Sequence, residues 1–135
     1  MIYHASIPAK DPGHVARVLA ELLDGRATPF AGHPGAYMAW SGRHAGHLIE
    51  VLPAAAAAFA SDDDARALYD SIHFALAVNQ EPEVVLAVGA REGWRTRRCR
   101  RGGSFDVIEF WLENHFMIEV LTPQMQREYL DSCSA

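Results

Sequence analysis

Residues 47–53 read "HLIEVLP", with Glu50 set between Leu48-Ile49 and Val51-Leu52. The apolar neighbours are those of a buried strand. An ionised carboxylate left unpartnered in such a setting costs several kcal/mol, so it must be exposed, hydrogen-bonded or bound to a cation. The same problem recurs at residues 116–121, "FMIEVL", where Glu119 lies in the same tetrapeptide, Ile-Glu-Val-Leu.

Glu50 and Glu119 are 69 residues apart, and so are His4 and His73, which open the apolar runs "HASIPA" and "HFALAV". Two matched pairs at one offset, one of them inside four identical consecutive residues, point to a duplicated module. The intervening residues agree. In the first half a strand at the N-terminus is followed by Asp11-Pro12, a sound N-cap and first helical position. Val15, Val18, Leu19, Leu22 and Leu23 follow at helical spacing, with Gly25 as the expected stop. Strands are expected at 27–31, 36–40 and 47–52, punctuated by Gly32, Gly35, Gly42 and Gly46.

The second half predicts a strand at 72–78, a helix from Glu81 to Arg91, and strands at 95–100, 105–112 and 116–121. "EVVLAV" has strand propensity, but its place in the repeat predicts helix. The chain thus divides into a module at 1–53, a linker at 54–71 rich in alanine, a module at 72–122 and a C-terminal helix at 123–135, together one domain. The fold class is α+β, two βαβββ modules forming curved mixed sheets around a cavity. A doubly wound parallel sheet is excluded because helices do not follow every strand.

Strands alternate faces with period two, so His4 shares a face with Ser6 and Pro8, and His73 with Ala75 and Ala77. Glu50 and Glu119 stand among leucines and a methionine on their own faces. If the four meet, two neutral imidazoles and two carboxylates balance one divalent cation, which removes the burial penalty. His4, Glu50, His73 and Glu119 are therefore the expected metal ligands. A mixed nitrogen and oxygen set without thiolate suits Ni, Co, Zn, Fe or Mn, and six-coordination leaves two positions for adjacent oxygens of a substrate. Such a metal would acidify a carbon acid and hold its enediolate while a glutamate shuttles the proton.

Composition sets further bounds. Half of the 135 residues are hydrophobic and 21% are charged, as in a globular domain. A net charge of −5 argues against nucleic acid and anionic membranes as partners. Cys99 and Cys133 form no metal or redox motif, and "MIYHASIPAK" has no secretory pattern, so the expected location is cytoplasmic.

The paired βαβββ pattern, with His on first strands and Glu on fourth strands, resembles the vicinal oxygen chelate superfamily over about residues 1–122. That superfamily includes glyoxalase I, extradiol dioxygenases, methylmalonyl-CoA epimerase, and fosfomycin and bleomycin resistance proteins. The His, Glu, His, Glu order is most similar to glyoxalase I, since dioxygenase sites use two His and one Glu. The resemblance implies a metal-dependent lyase or isomerase acting on a small-molecule substrate, a homodimer, and Glu119 as the proton-transfer base. It equally implies the alternatives of a dioxygenase or epimerase, or a non-catalytic small-molecule-binding protein. The family's Asp-Pro-x-Gly turn is replaced by "LENHF" (112–116), and no glutathione-gripping residues are identifiable.

Other features carry less. The arginines of "WRTRRCRR" (94–101) divide between faces, Arg95, Arg97 and Arg101 on one, Arg98 and Arg100 on the other, which predicts solvated charge or intersubunit pairing. One of them holding a substrate carboxylate or phosphate is a second possibility. Glu109 in "VIEFW" is a further carboxylate in an apolar strand, compatible with either a pocket or an exterior face.

Overall fold

The computed structural model describes residues 4–31, 33–54, 74–101 and 103–133. The chain separates into two compact units, Met1–Ala67 and Leu68–Ala135. The alanine-rich segment, the greater part of the expected linker, and His73 lie outside the described residues.

In the first unit, β1 (His4–Ala9) leads to α1 (Pro12–Leu22), then β2 (Arg26–Pro29), β3 (Tyr37–Trp40) and β4 (Leu48–Pro53). The sheet order is β1-β4-β3-β2, with β1 parallel to β4 and the other pairs antiparallel. The helix starts where the sequence predicts. Asp11 Oδ1 accepts the His14 N–H at 3.0 Å, and Pro12 occupies the first turn, where no N–H is needed. Val15, Leu19 and Leu22 form its buried stripe. They pack with Ile7, Ala39, Ile49 and Val51, each 5% exposed or less, as the helix covers one face of the sheet. The stop differs from expectation. Asp24, with φ of 50°, takes the left-handed position, and the Gly25 N–H bonds to Ala20 O at 2.8 Å. Gly25 is required for space instead, because a Cβ there would lie 1.7 Å from the Trp40 carbonyl oxygen.

In the second unit, β5 (Ala75–Ala77) precedes α2 (Pro82–Glu92), β6 (Thr96–Arg101), β7 (Phe105–Leu112), β8 (Phe116–Leu121) and α3 (Pro123–Cys133). The order β5-β8-β7-β6 repeats that of the first sheet, again with only the first pair parallel. "EVVLAV" is helical, so its context in the repeat outweighs the β-propensity of its valines. Val85 and Val88 are buried while Val84 is 49% exposed, which is an amphipathic helix laid on a sheet. This helix ends on Gly93 at φ of 69°, the standard left-handed terminus that Asp24 replaces in the first unit. The strands expected at 105–112 and 116–121 are found at those limits, β5 spans Ala75–Ala77 against an expected 72–78, and the other strands differ by one or two residues at their ends.

Gly89 fixes how closely α2 approaches β6. A Cβ at this position would lie 2.2 Å from Thr96 Cγ2, on a β-branched side chain with little freedom to move. Gly→Ala inside a helix ordinarily gains about 1 kcal/mol. Here the sign should reverse: Gly89→Ala is expected to destabilise by about 1–3 kcal/mol through overpacking. Adding Thr96→Ser, which deletes the offending methyl, should recover most of that loss. Urea midpoints of the single and double variants check this, and a single variant as stable as the parent would refute the close packing.

Candidate metal and ion-pair site

The face of the first sheet opposite α1 carries His4, Ser6, Glu50 and Met38, with Trp40 and Thr28 further across. Parallel pairing of β1 with β4 sets Ser6 opposite Glu50, and antiparallel pairing sets Met38 on its other side. Ser6 Oγ donates to Glu50 Oε2 at 2.6 Å, and His4 Nε2 stands 4.0 Å from Glu50 Oε1. The histidine side chain is 57% exposed and the glutamate 18%. Glu50 is therefore neither solvated nor orphaned: one oxygen is hydrogen-bonded, and the other faces an imidazole. Trp40 Nε1 donates to Thr28 Oγ1 at 2.9 Å, and Arg26 lies 5.6 Å from the Trp40 ring centroid. These contacts give that end of the face fixed walls.

The second sheet answers the same question differently. Glu119 on β8 stands directly opposite Glu109 on β7 and next to Ala75 on β5. Like charges so placed repel, and two arginines of the edge strand β6 offset them. Arg101 forks between both carboxylates, Nε to Glu119 Oε1 at 2.8 Å and Nη2 to Glu109 Oε1 at 2.8 Å. Arg97 binds the other Glu109 oxygen through Nε at 3.2 Å and Nη2 at 3.0 Å. Glu109 is 7% exposed. Burial pushes its carboxyl upward, but the Arg101 hydrogen bond and the charge of Arg97 together outweigh this and hold it below the ordinary range. Arg101 is in turn held above its ordinary value, first by the hydrogen bond to Glu109, and remains cationic.

In the arginine-rich strand Arg97, Arg98 and Arg100 remain half or more exposed, as solvated charge would be, and they also have partners within the unit. Arg97 and Arg101 pair inside the unit with Glu109 and Glu119, and on the other face Arg98 and Arg100 share Asp106. The glutamates to which these arginines belong were visible as apolar-strand carboxylates. The missing step was that an Arg-x-x-x-Arg spacing on one face of an edge strand supplies two forks to a neighbouring strand.

The first unit offers two donors toward a metal. His4 Nε2 and Glu50 Oε1 stand 4.0 Å apart, and adjacent ligands on one cation with bonds of about 2.1 Å lie roughly 3–3.4 Å from each other, so the pair would have to close by about 0.6–1 Å to share it. Ser6 would then orient the carboxylate from behind, as outer hydrogen bonds do in such sites. In the second unit the Glu119 oxygen nearest Arg101 already has a cationic partner. Among the described residues no group of three or more His, Cys, Asp or Glu stands together as a metal centre.

The depressed carboxyl of Glu109 has a consequence with a definite sign. A group whose pKa is lowered by folding contributes stability above its unfolded value, and that contribution disappears as pH falls through the folded value. The parent chain should therefore lose stability below the ordinary Glu value of 4.5 more steeply than Glu109→Gln. At neutral pH the variant should be less stable by roughly 1.5–3 kcal/mol, the worth of hydrogen bonds to charged groups. Urea titrations between neutral and acidic pH measure both effects.

No known sequence-family profile matches the chain, and no curated protein matches it in sequence. Its fold is well represented among solved structures. The fosfomycin resistance protein FosX of Listeria monocytogenes, solved with Mn(II) and sulfate, superposes with a TM-score of 0.64 at 13% identity, covering 98% of this chain and 97% of that one. FosX of Mesorhizobium loti gives 0.62 at 14% identity over 96% and 97% of the two chains. A glyoxalase/bleomycin resistance protein/dioxygenase domain of Frankia sp. EAN1pec gives 0.59 at 13% identity over 89% and 94%. The duplicated βαβββ architecture is thus the fold of the vicinal oxygen chelate superfamily, to which these structural neighbours belong.

Proposed function

We propose that this chain is a metal-dependent enzyme of the vicinal oxygen chelate type, acting on a small substrate that offers two adjacent oxygens. The observation that carries the reading is the His4–Glu50 pair, two metal-competent donors 4.0 Å apart on the face of the first sheet opposite α1. The fold supports it, and so does the Mn(II) bound by one FosX neighbour. The full ligand set in this reading is His4, Glu50, His73 and Glu119. Bound there, a divalent ion supplies Lewis acidity toward the substrate oxygens.

The chain's own residues do the rest. Ser6 fixes the rotamer of Glu50 through Oγ. Trp40, held by Thr28, bounds the space beside the pair and restricts the orientation of a bound small molecule. Glu119, on the central strand β8, would take a proton from a substrate carbon and return it to the neighbouring carbon. That is the isomerase chemistry of glyoxalase I, and the hemithioacetal of methylglyoxal and glutathione is the first substrate to assay. A homodimer in the cytoplasm is part of this reading. Among the described residues no helix is long and apolar enough to cross a membrane.

Elemental analysis of protein purified without a metal-affinity tag should find a stoichiometric divalent metal, or one restored by Mn, Co or Ni. His4→Ala and Glu50→Gln should each weaken metal affinity at least tenfold, in line with the effect of losing even an outer-sphere partner. Glu119→Gln should abolish turnover with the fold intact by circular dichroism. Metal content near zero, not restored by these ions, would overturn the enzymatic reading and favour a metal-free binding protein.

A further inference from the structure

The loop that joins β3 to β4 in the first unit reads "SGRHAGH" (41–47), and the proposed reaction uses none of it. The loop is closed on itself by hydrogen bonds. Ser41 N–H donates to His47 O at 3.0 Å, and His47 N–H donates to His44 O at 3.1 Å. Ser41 Oγ accepts the backbone N–H groups of Arg43 and His44, at 3.3 and 3.2 Å. Gly46 makes the turn at φ of 81°, a conformation that favours glycine. Gly42 N–H reaches Leu23 O at 3.1 Å and ties the loop to the end of α1. What this braced loop presents is a pair of imidazoles: the rings of His44 and His47 lie 5.6 Å apart between centroids and are tilted by 51°. Arg43, next to His44 in the chain, is paired with Asp24, Nε to Oδ2 at 3.6 Å, which offsets its repulsion of a bound cation.

We propose that His44 and His47 form a second metal site, at the surface of the first unit, for the divalent ions that favour imidazole: Zn, Ni and Cu. An ion bonded to a ring nitrogen at about 2.1 Å stands roughly 3.2 Å from the centre of that ring, so two rings on one tetrahedral ion have centroids about 5.2 Å apart. The observed separation is about 0.4 Å wider, which a small rotation of the exposed His44 side chain closes. The donors are nitrogen only, whereas His4 with Glu50 mixes nitrogen and oxygen. Imidazole suits Zn, Ni and Cu, while carboxylate, carbonyl and water suit Mn, so the loop discriminates against Mn. Two protein donors leave the remaining coordination positions to water. The inference goes beyond the metal-dependent reading above and does not depend on it.

Ni(II) binding followed by titration calorimetry tests this with the full chain carrying His4→Ala, which removes the other pair. That variant should bind one equivalent of Ni(II). Adding His44→Gln or His47→Gln should weaken the binding at least tenfold, the effect of losing even an outer-sphere partner. Mn(II) should bind the His4→Ala chain at least tenfold more weakly than Ni(II). In the parent, labelled with 15N-histidine, Zn(II) should shift the ring resonances of His44 and His47 together, which reads the site without any substitution. Ni(II) affinity unchanged by either added substitution, or ring resonances of the two that do not respond to Zn(II), would overturn the loop site. Either result leaves the metal-dependent reading standing, because that reading fails on a different comparison, the Mn(II) affinity of the parent against that of His4→Ala.

Discussion

A carboxylate in the interior of a sheet has to be met by a proton donor or a counter-charge, and each sheet of this protein is arranged around that requirement. Glu50 is met by a serine hydroxyl and faces an imidazole; Glu109 and Glu119 are met by two arginines. Pairing register decides which solution is available. The parallel β1–β4 pair sets Ser6 beside Glu50, while the equivalent β5–β8 pair sets Ala75 beside Glu119 and offers it no hydrogen bond from a side chain. Help must then come from the other direction, across β7 and from β6.

The two units share a topology but not a charge distribution. Where Glu50 has Met38 on its antiparallel side, Glu119 has Glu109, and where β2 and β3 have four residues each, β6 and β7 have six and eight. The longer hairpin carries the strand far enough for Arg101 to lie on it and fork back to both glutamates. The first unit therefore keeps a carboxylate without a permanent cation, and the second neutralises its own. The two halves of the repeat thus meet their strand carboxylates with different partners, a hydroxyl in one and guanidinium groups in the other.

Much of this was legible from residues alone. The repeated Ile-Glu-Val-Leu and the paired histidines located the duplication, and with it the helical state of "EVVLAV", which local propensity would have made a strand. Asp11-Pro12 fixed the start of α1 because capping is local chemistry. Its end was less legible: Gly25 reads as a left-handed stop, but Asp24 takes that conformation and the glycine answers a long-range approach to Trp40. The partners of Glu109 were hidden for the same reason. Arg97 and Arg101 lie on the neighbouring strand, and only the antiparallel register shows that both reach Glu109.

The arginine pairing also constrains how the proposed chemistry can work. A metal taking Glu119 must displace a charge-assisted hydrogen bond, of the kind worth about 1.5–3 kcal/mol net. At about 1.4 kcal/mol per factor of ten, that lowers metal affinity by roughly one to two orders of magnitude relative to a site with a free glutamate.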